Sequence, residues 1–155
     1  VPFDKMTLED WRGTFRVNMD GVFHTLQAAV RHMMEHGQGG SLVATSSGSS
    51  LSGAPNAAAY ASTKGGINAL MRGLASGYAR YGIRANIVVP GWIDTNMTDK
   101  ILHTPLFEDK VLKRIPMRRW GTGADFKGIA VYLTSDASAY HTGDIFVIDG
   151  GYEVF

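Results

Sequence analysis

Three short runs exclude most folds for this chain. Ser41-Leu-Val-Ala-Thr-Ser46, Ala85-Asn-Ile-Val-Val89 and Asp144-Ile-Phe-Val-Ile-Asp149 are largely apolar at successive interior positions instead of alternating with polar residues. A strand of that kind is buried on both faces, which is the condition of strands in parallel sheets sandwiched between helices. The intervening segments supply the helices. Thr7 followed by Asp10 is an imperfect capping box, with Asp in place of Glu or Gln. From there Trp11, Phe15, Val22, Leu26, Ala29 and Met33 stay within about 80° of one helical face, and Gly37 ends the helix. A Gly/Ser loop from Ser47 to Pro55 leads into a long helix from about Asn56 to Tyr81, stopped by Gly82, and a further helix runs from about Ala124 to Leu133. Helix, strand, helix, strand, helix, strand predicts an α/β fold: a partial doubly wound, Rossmann-like parallel sheet of three strands with flanking helices. At 155 residues, 45% hydrophobic, the chain is expected to form one domain over residues 1–155.

Charge and composition narrow the function. The formal net charge is +1 with the basic residues scattered, so neither nucleic acid nor a membrane surface is an expected partner; a small ligand is. The absence of cysteine excludes disulfides and thiolate metal sites. No apolar run approaches the ~18 residues of a membrane span and no signal peptide opens the chain, so the expected location is cytoplasmic. Residues 94–119 mix charge with Met97, Ile101, Leu102, Leu106 and Phe107 and carry Pro105 and Pro116. That composition reads as a substrate lid with short amphipathic helices. Val1-Pro-Phe-Asp4 has no initiator methionine and runs almost directly into a helix, which reads as a chain entered midway.

Tyr60 and Lys64 stand four apart in Ala-Ala-Ala-Tyr-Ala-Ser-Thr-Lys-Gly-Gly, residues 57–66, one turn above each other on a helix. With Tyr60 at zero on a wheel of about 100° per residue, Lys64, Ile67, Met71, Leu74 and Tyr78 all fall within about 40° of it. The pair therefore begins the stripe expected to bury against the sheet. A lysine there needs a polar partner: a ligand hydroxyl, a water, a carbonyl or the phenol. An unperturbed phenol titrates near ~10, and a fixed ammonium one turn away favours the phenolate, so Tyr60 is a candidate general acid/base. Alone the spacing is weak, since Tyr-x-x-x-Lys occurs by composition in roughly one chain in three of this length. Two further signals accompany it. Ser47, thirteen residues before Tyr60, lies at the carboxyl end of the first strand, where such sheets present ligand-contacting groups. Asn18 interrupts the apolar stripe of the first helix, either as a functional amide or as a structural one tying helix to strand.

Together Asn18, Ser47, Tyr60 and Lys64 resemble the Asn, Ser, Tyr-x-x-x-Lys tetrad of the short-chain dehydrogenases/reductases. The resemblance extends through Pro90-Gly91-Trp-Ile93-Asp-Thr95, similar to the family's nicotinamide-contacting segment, to Asp149-Gly150-Gly151. It implies an NAD- or NADP-dependent oxidoreductase that interconverts a secondary alcohol and a ketone. By that resemblance Tyr60 transfers the proton at the substrate oxygen and Ser47 hydrogen-bonds that oxygen. Lys64 holds the nicotinamide ribose while acting on Tyr60, and Asn18 supports a water-linked proton relay. Pro90, Gly91, Ile93 and Thr95 border the carboxamide.

The family's opening strand and glycine-rich pyrophosphate turn have no counterpart here. Gly37-Gln-Gly-Gly40 precedes a strand, Gly48 to Gly53 leads into the helix of Tyr60, and Trp120-Gly-Thr-Gly123 follows no strand. The chain thus resembles the C-terminal, catalytic part of such an enzyme, and residues 1–155 alone are expected to turn over poorly. The alternative is a non-catalytic fragment or binding subunit that keeps the tetrad. His32-Met-Met-Glu35-His36 matches an H-x-x-E-H metalloprotease pattern, but no strong third ligand is identifiable, and basic residues suit a helix's last turn, so no metal site is assigned. Ser49, Ser50, Ser52 and Asn56 in the loop beside Ser47 suggest a polar, polyol-like substrate. Ala58, Ser62, Gly65, Ala69, Gly73 and Ser76 leave the opposite face of the long helix without bulk, which suggests a homo-oligomer, dimer or tetramer at full length; the competing reading is close packing on the first helix.

Overall fold

The structure, a computed structural model, describes residues 1–154. Its three strands, β1 (Gly40–Thr45), β2 (Ile83–Pro90) and β3 (Ile145–Ile148), form one parallel sheet in the order β1-β2-β3. Gly40 pairs with Ile83 and Thr45 with Val88; Ile87 pairs with Ile145 and Pro90 with Ile148. All three strands therefore point their carboxyl ends the same way. β2, in the middle, has Ile83, Ala85, Asn86, Ile87 and Val89 fully buried.

Helices α1 (Leu8–Phe15) and α2 (Gly21–His36) precede β1, and α3 (Ala58–Tyr78) precedes β2. Thr7 and Asp10 form a complete capping box at the start of α1: the Asp10 amide donates to Thr7 Oγ1 at 3.1 Å and the Thr7 amide to Asp10 Oδ2 at 3.0 Å. Aspartate therefore does the work of the longer acid at that position. Gly37 (φ +66°) and Gly82 (φ +72°) end the helical segments in the left-handed conformation that glycine adopts without strain. α2 and α3 share one face of the sheet, where Leu26, Val30, Ile67, Met71 and Ala75 pack on Leu42, Ala44, Ile83, Ala85, Ile87 and Val89.

Side chains alternate across a strand, so Ser41, Arg84 and Asn86 face the other way. There α6 (Lys127–Thr134) lies: Ser41 Oγ donates to the Leu133 carbonyl at 2.6 Å and an Arg84 nitrogen to the same oxygen at 3.1 Å. This single helix does not cover the whole face. Val43 on β1 is 39% exposed and Val147 on β3 is 42% exposed, so among the described residues both faces are covered at β2 and only partly at β1 and β3. No helix among the described residues is long and apolar enough to cross a membrane.

The first helix also departs from its expected form. Arg16–Asp20 is a π turn joining α1 to α2, with the Gly21 amide donating to the Arg16 carbonyl five residues back. Between β2 and α6, residues 94–119 hold α4 (Asp99–Leu102), α5 (Pro105–Lys110) and a 3₁₀ turn at Leu112–Arg114. Leu102 and Ile115 anchor this segment in the interior, while Met97, Ile101 and Leu106 project into solvent.

Candidate active site

The site is built where β1 ends. The Ser46 amide still pairs with the Val88 carbonyl at 2.8 Å, after which the chain turns through a 3₁₀ segment at Gly48–Ser50. Ser47 begins that turn in extended conformation, and its Oγ accepts from the Ser49 amide (3.3 Å) and the Ser49 hydroxyl (3.0 Å). Tyr60 sits in the first turn of α3, 39% exposed, because the stripe that buries Ile67 and Met71 rises out of the core at its N-terminal end. Lys64, half-buried one turn later, lies with its ammonium 5.6 Å from the centroid of the Tyr60 ring. Its polar partner is a carbonyl: Nζ donates to Thr45 O at 2.9 Å. The ammonium is thus held between the strand end and the phenol, and burial pushes its pKa below the ordinary lysine value.

Asn18 joins this group from the π turn. Its Nδ2 donates to Thr63 Oγ1 at 3.0 Å, and Thr63 Oγ1 donates to the Tyr60 carbonyl at 2.7 Å. The half-buried amide ties helix to helix, not helix to strand. Thr63, fully buried, is a connecting residue that the motif reading missed; its only signal was its position one residue before Lys64.

The segment after β2 is fixed on several sides. The Gly91 amide donates to Ile148 O at 3.0 Å, and a Cβ at Gly91 would lie 2.5 Å from that of Asp149. Only glycine lets the end of β2 and the end of β3 approach so closely. Ile93 bridges Gly121, and Thr98 Oγ1 donates to Ile93 O at 2.6 Å while accepting from the Thr95 amide at 3.0 Å. Trp92 meets Phe107 and Tyr152 edge-on, at 5.3 and 6.3 Å between centroids. A cleft of about 190 Å³ lined by Trp92, Ile93, Met117, Arg119 and Asp149 borders this segment. It is smaller than the ~300 Å³ at which ligand pockets begin, and its lining omits Ser47, Tyr60 and Lys64.

The loop serines have local duties. Ser49 bonds Ser47, Ser50 turns inward, and Ser52 Oγ lies within hydrogen-bond distance of Gly48 O (3.3 Å) and Glu153 Oε1 (3.1 Å). Asn56, at φ +60°, occupies a turn position. At the end of α2, Gln38 N donates to His36 Nδ1 at 3.0 Å and the His32 and His36 rings meet edge-on at 4.9 Å, a helix-terminus arrangement. Asp94, Asp99 and His103 bring ligand atoms within 4.8 Å of one another on the exposed surface. His103 Nε2 is 3.1 Å from Asp94 and 3.9 Å from Asp99, and this pairing accounts for the cluster.

A family model described as enoyl-(acyl carrier protein) reductase matches residues 1–153. The chain belongs to the short-chain dehydrogenase/reductase family. Among relatives of this family member, a gluconate 5-dehydrogenase of Gluconobacter oxydans is 35% identical over 154 residues, covering 99% of this chain and 60% of the relative. An acetoacetyl-CoA reductase of Synechocystis is 38% identical over 151 residues, covering 97% of this chain and 62% of the relative. The crystal structure of a gluconate 5-dehydrogenase from Burkholderia cenocepacia, in complex with NADP and tartrate, superimposes with a TM-score of 0.95 at 37% identity, over 100% of this chain and 60% of that one. The α/β, Rossmann-like architecture is thus that of the family, and the chain spans about 60% of the length of these relatives.

Proposed function

We propose that the whole protein is an NAD- or NADP-dependent oxidoreductase that interconverts a secondary alcohol and a ketone, with Tyr60 as general acid/base. One observation carries the reading: Lys64 is held by Thr45 O beside the Tyr60 ring, at the carboxyl end of the sheet. The half-exposed Tyr60 hydroxyl exchanges the proton at the substrate oxygen. Ser47, two residues beyond Thr45, hydrogen-bonds that same oxygen. The Lys64 ammonium stabilises negative charge developing on the phenol. Asn18, through Thr63, sets the turn of α3 that carries Tyr60 and supports the proton relay.

The donor set fits a nicotinamide nucleotide. Lys64 has three ammonium protons and spends one on Thr45 O, which leaves donors for ribose hydroxyls, and Pro90, Gly91, Ile93 and Thr95 form a fixed backbone edge for the carboxamide. When bound, that cofactor supplies or accepts the hydride. Residues 94–119 act as a lid, anchored by Leu102 and Ile115. The relatives named as gluconate and rhamnose dehydrogenases favour a hydroxyl-rich small molecule as substrate. Nicotinamide absorbance followed with sugar acids, polyols and oxoacyl thioesters tests the proposal; substrate-dependent change is expected, and its absence across the panel favours a non-catalytic binding role.

A homo-oligomer is part of the same reading. Ser62, Ala69, Gly73 and Ser76 lie exposed on α3, and the Cβ positions of Gly65 and Gly73 are open space; the first helix does not fill this face. A second copy approaching it would meet little bulk. Ala69→Arg is expected to convert the assembly to monomers in sedimentation, and an unchanged profile would remove this interface.

A further inference from the structure

Next to the proposed catalytic group, the core contains a polar network whose cost stability does not explain. Asn68, one turn beyond Lys64 on α3, is 6% exposed and Ser46 is 3% exposed. Asn68 Nδ2 donates to Ser50 Oγ at 2.9 Å, and Ser50 Oγ donates to the Ser47 carbonyl at 2.6 Å. Ser46 Oγ lies 3.1 Å from both Ser50 Oγ and the Lys64 carbonyl. A hydroxyl has one proton. With that of Ser50 given to Ser47 O, Ser50 can only accept from Asn68, which fixes the amide with its nitrogen toward Ser50. The amide oxygen is then left buried without a hydrogen-bond partner among the described residues. Such an orphaned acceptor is destabilising, and an apolar side chain of similar size would remove it.

We infer that Asn68 is a positioning residue for Ser47, acting through Ser50. The inference rests on the role proposed above for Ser47. Two hydrogen bonds run from the rigid interior of α3 to the backbone of Ser47, so the amide holds the residue whose hydroxyl is to meet the substrate oxygen. Without it, the hydrogen bonds from α3 to this strand end, Lys64 to Thr45 O and Ser46 to Lys64 O, both attach ahead of Ser47, and the Ser47 hydroxyl loses its fixed direction.

The test compares Asn68→Leu and Ser50→Ala in the whole protein. Each is expected to lower kcat by about 10- to 100-fold, the cost of misplacing a reacting group by roughly an ångström, with KM for the cofactor unchanged. Asn68→Leu is expected to keep or raise Tm; if it fails to fold, Ser50→Ala, in a half-buried turn, carries the test. In a Ser47→Ala background neither substitution is expected to lower kcat further. A further loss there as large as in the parent, or an unchanged kcat in both single variants, would overturn the proposal. Hydrogen exchange at the Ser49 amide, which donates to Ser47 Oγ, reports the same coupling without catalysis. Faster exchange in both variants supports it and unchanged exchange overturns it, even if Ser47→Ala proves fully active and the catalytic role of Ser47 falls.

Discussion

Tyr60→Phe in the whole protein is expected to lower turnover by about 10²- to 10⁴-fold, the usual contribution of a positioned general acid/base, and to leave the fold unchanged. The structure separates the two effects. Tyr60 is 39% exposed in the first turn of α3. What Thr63 holds is its carbonyl, which the substitution does not touch. Surface changes of this kind stay within about 0.5 kcal/mol, so an unchanged melting temperature with collapsed kcat is the signature. Near-normal kcat would remove Tyr60 from the chemistry.

Lys64→Met is expected to weaken cofactor binding and turnover together, with kcat/KM falling by about 10²- to 10³-fold, the range for one preorganised charge at a developing anion. Methionine keeps most of the packing stem and removes the ammonium that bonds Thr45 O beside the Tyr60 ring. Stability at neutral pH is expected to move little, because relief of the ammonium's desolvation opposes the loss of its hydrogen bond. The pH dependence is more diagnostic. Burial lowers the pKa of Lys64, so the folded chain binds that proton less tightly than the unfolded chain. As pH rises from the folded value toward the ordinary lysine value, the unfolded state holds more protons and the native state gains stability. Thermal melts of the parent should show this alkaline gain and those of Lys64→Met should lack it. Equal slopes in both would mean that the side chain is fully solvated.

What could be read from the sequence was what is local in it. Tyr60 and Lys64 are a helical i, i+4 pair, Thr7 and Asp10 a capping box, and Gly37 and Gly82 stop signals that involve no distant partner. The strands were legible because apolar runs are contiguous, each to within a few residues of its observed ends. What escaped depends on long-range company. The partner of Lys64 is a carbonyl at the end of β1, nineteen positions away. Ser50 looked like a pocket residue and is a half-buried link to Asn68, eighteen positions away, while Ser52 reaches Glu153 across 101 positions.

The π turn was invisible for a different reason. An apolar stripe judged with a tolerance of about 80° absorbs most of the slip that one added residue introduces, so the pattern read as a continuous helix. That slip lets the two halves of the helix be clocked independently. α1, with Trp11 stacked on Phe15, is set by its own cap, whereas α2 is set by the seating of Leu26 and Val30 on the sheet. Asn18 lies at the join, so its bearing on Thr63 is decided by how many residues separate the two halves. Removing Arg16, Val17, Met19 or Asp20 would close the π turn to an ordinary α turn and leave α1 and α2 facing much as they do, but it would turn Asn18 within the join and carry the amide off Thr63, even with every remaining side chain unchanged. In this stretch the aim of the amide is encoded in chain length, and a tally of tolerated substitutions would not reveal it.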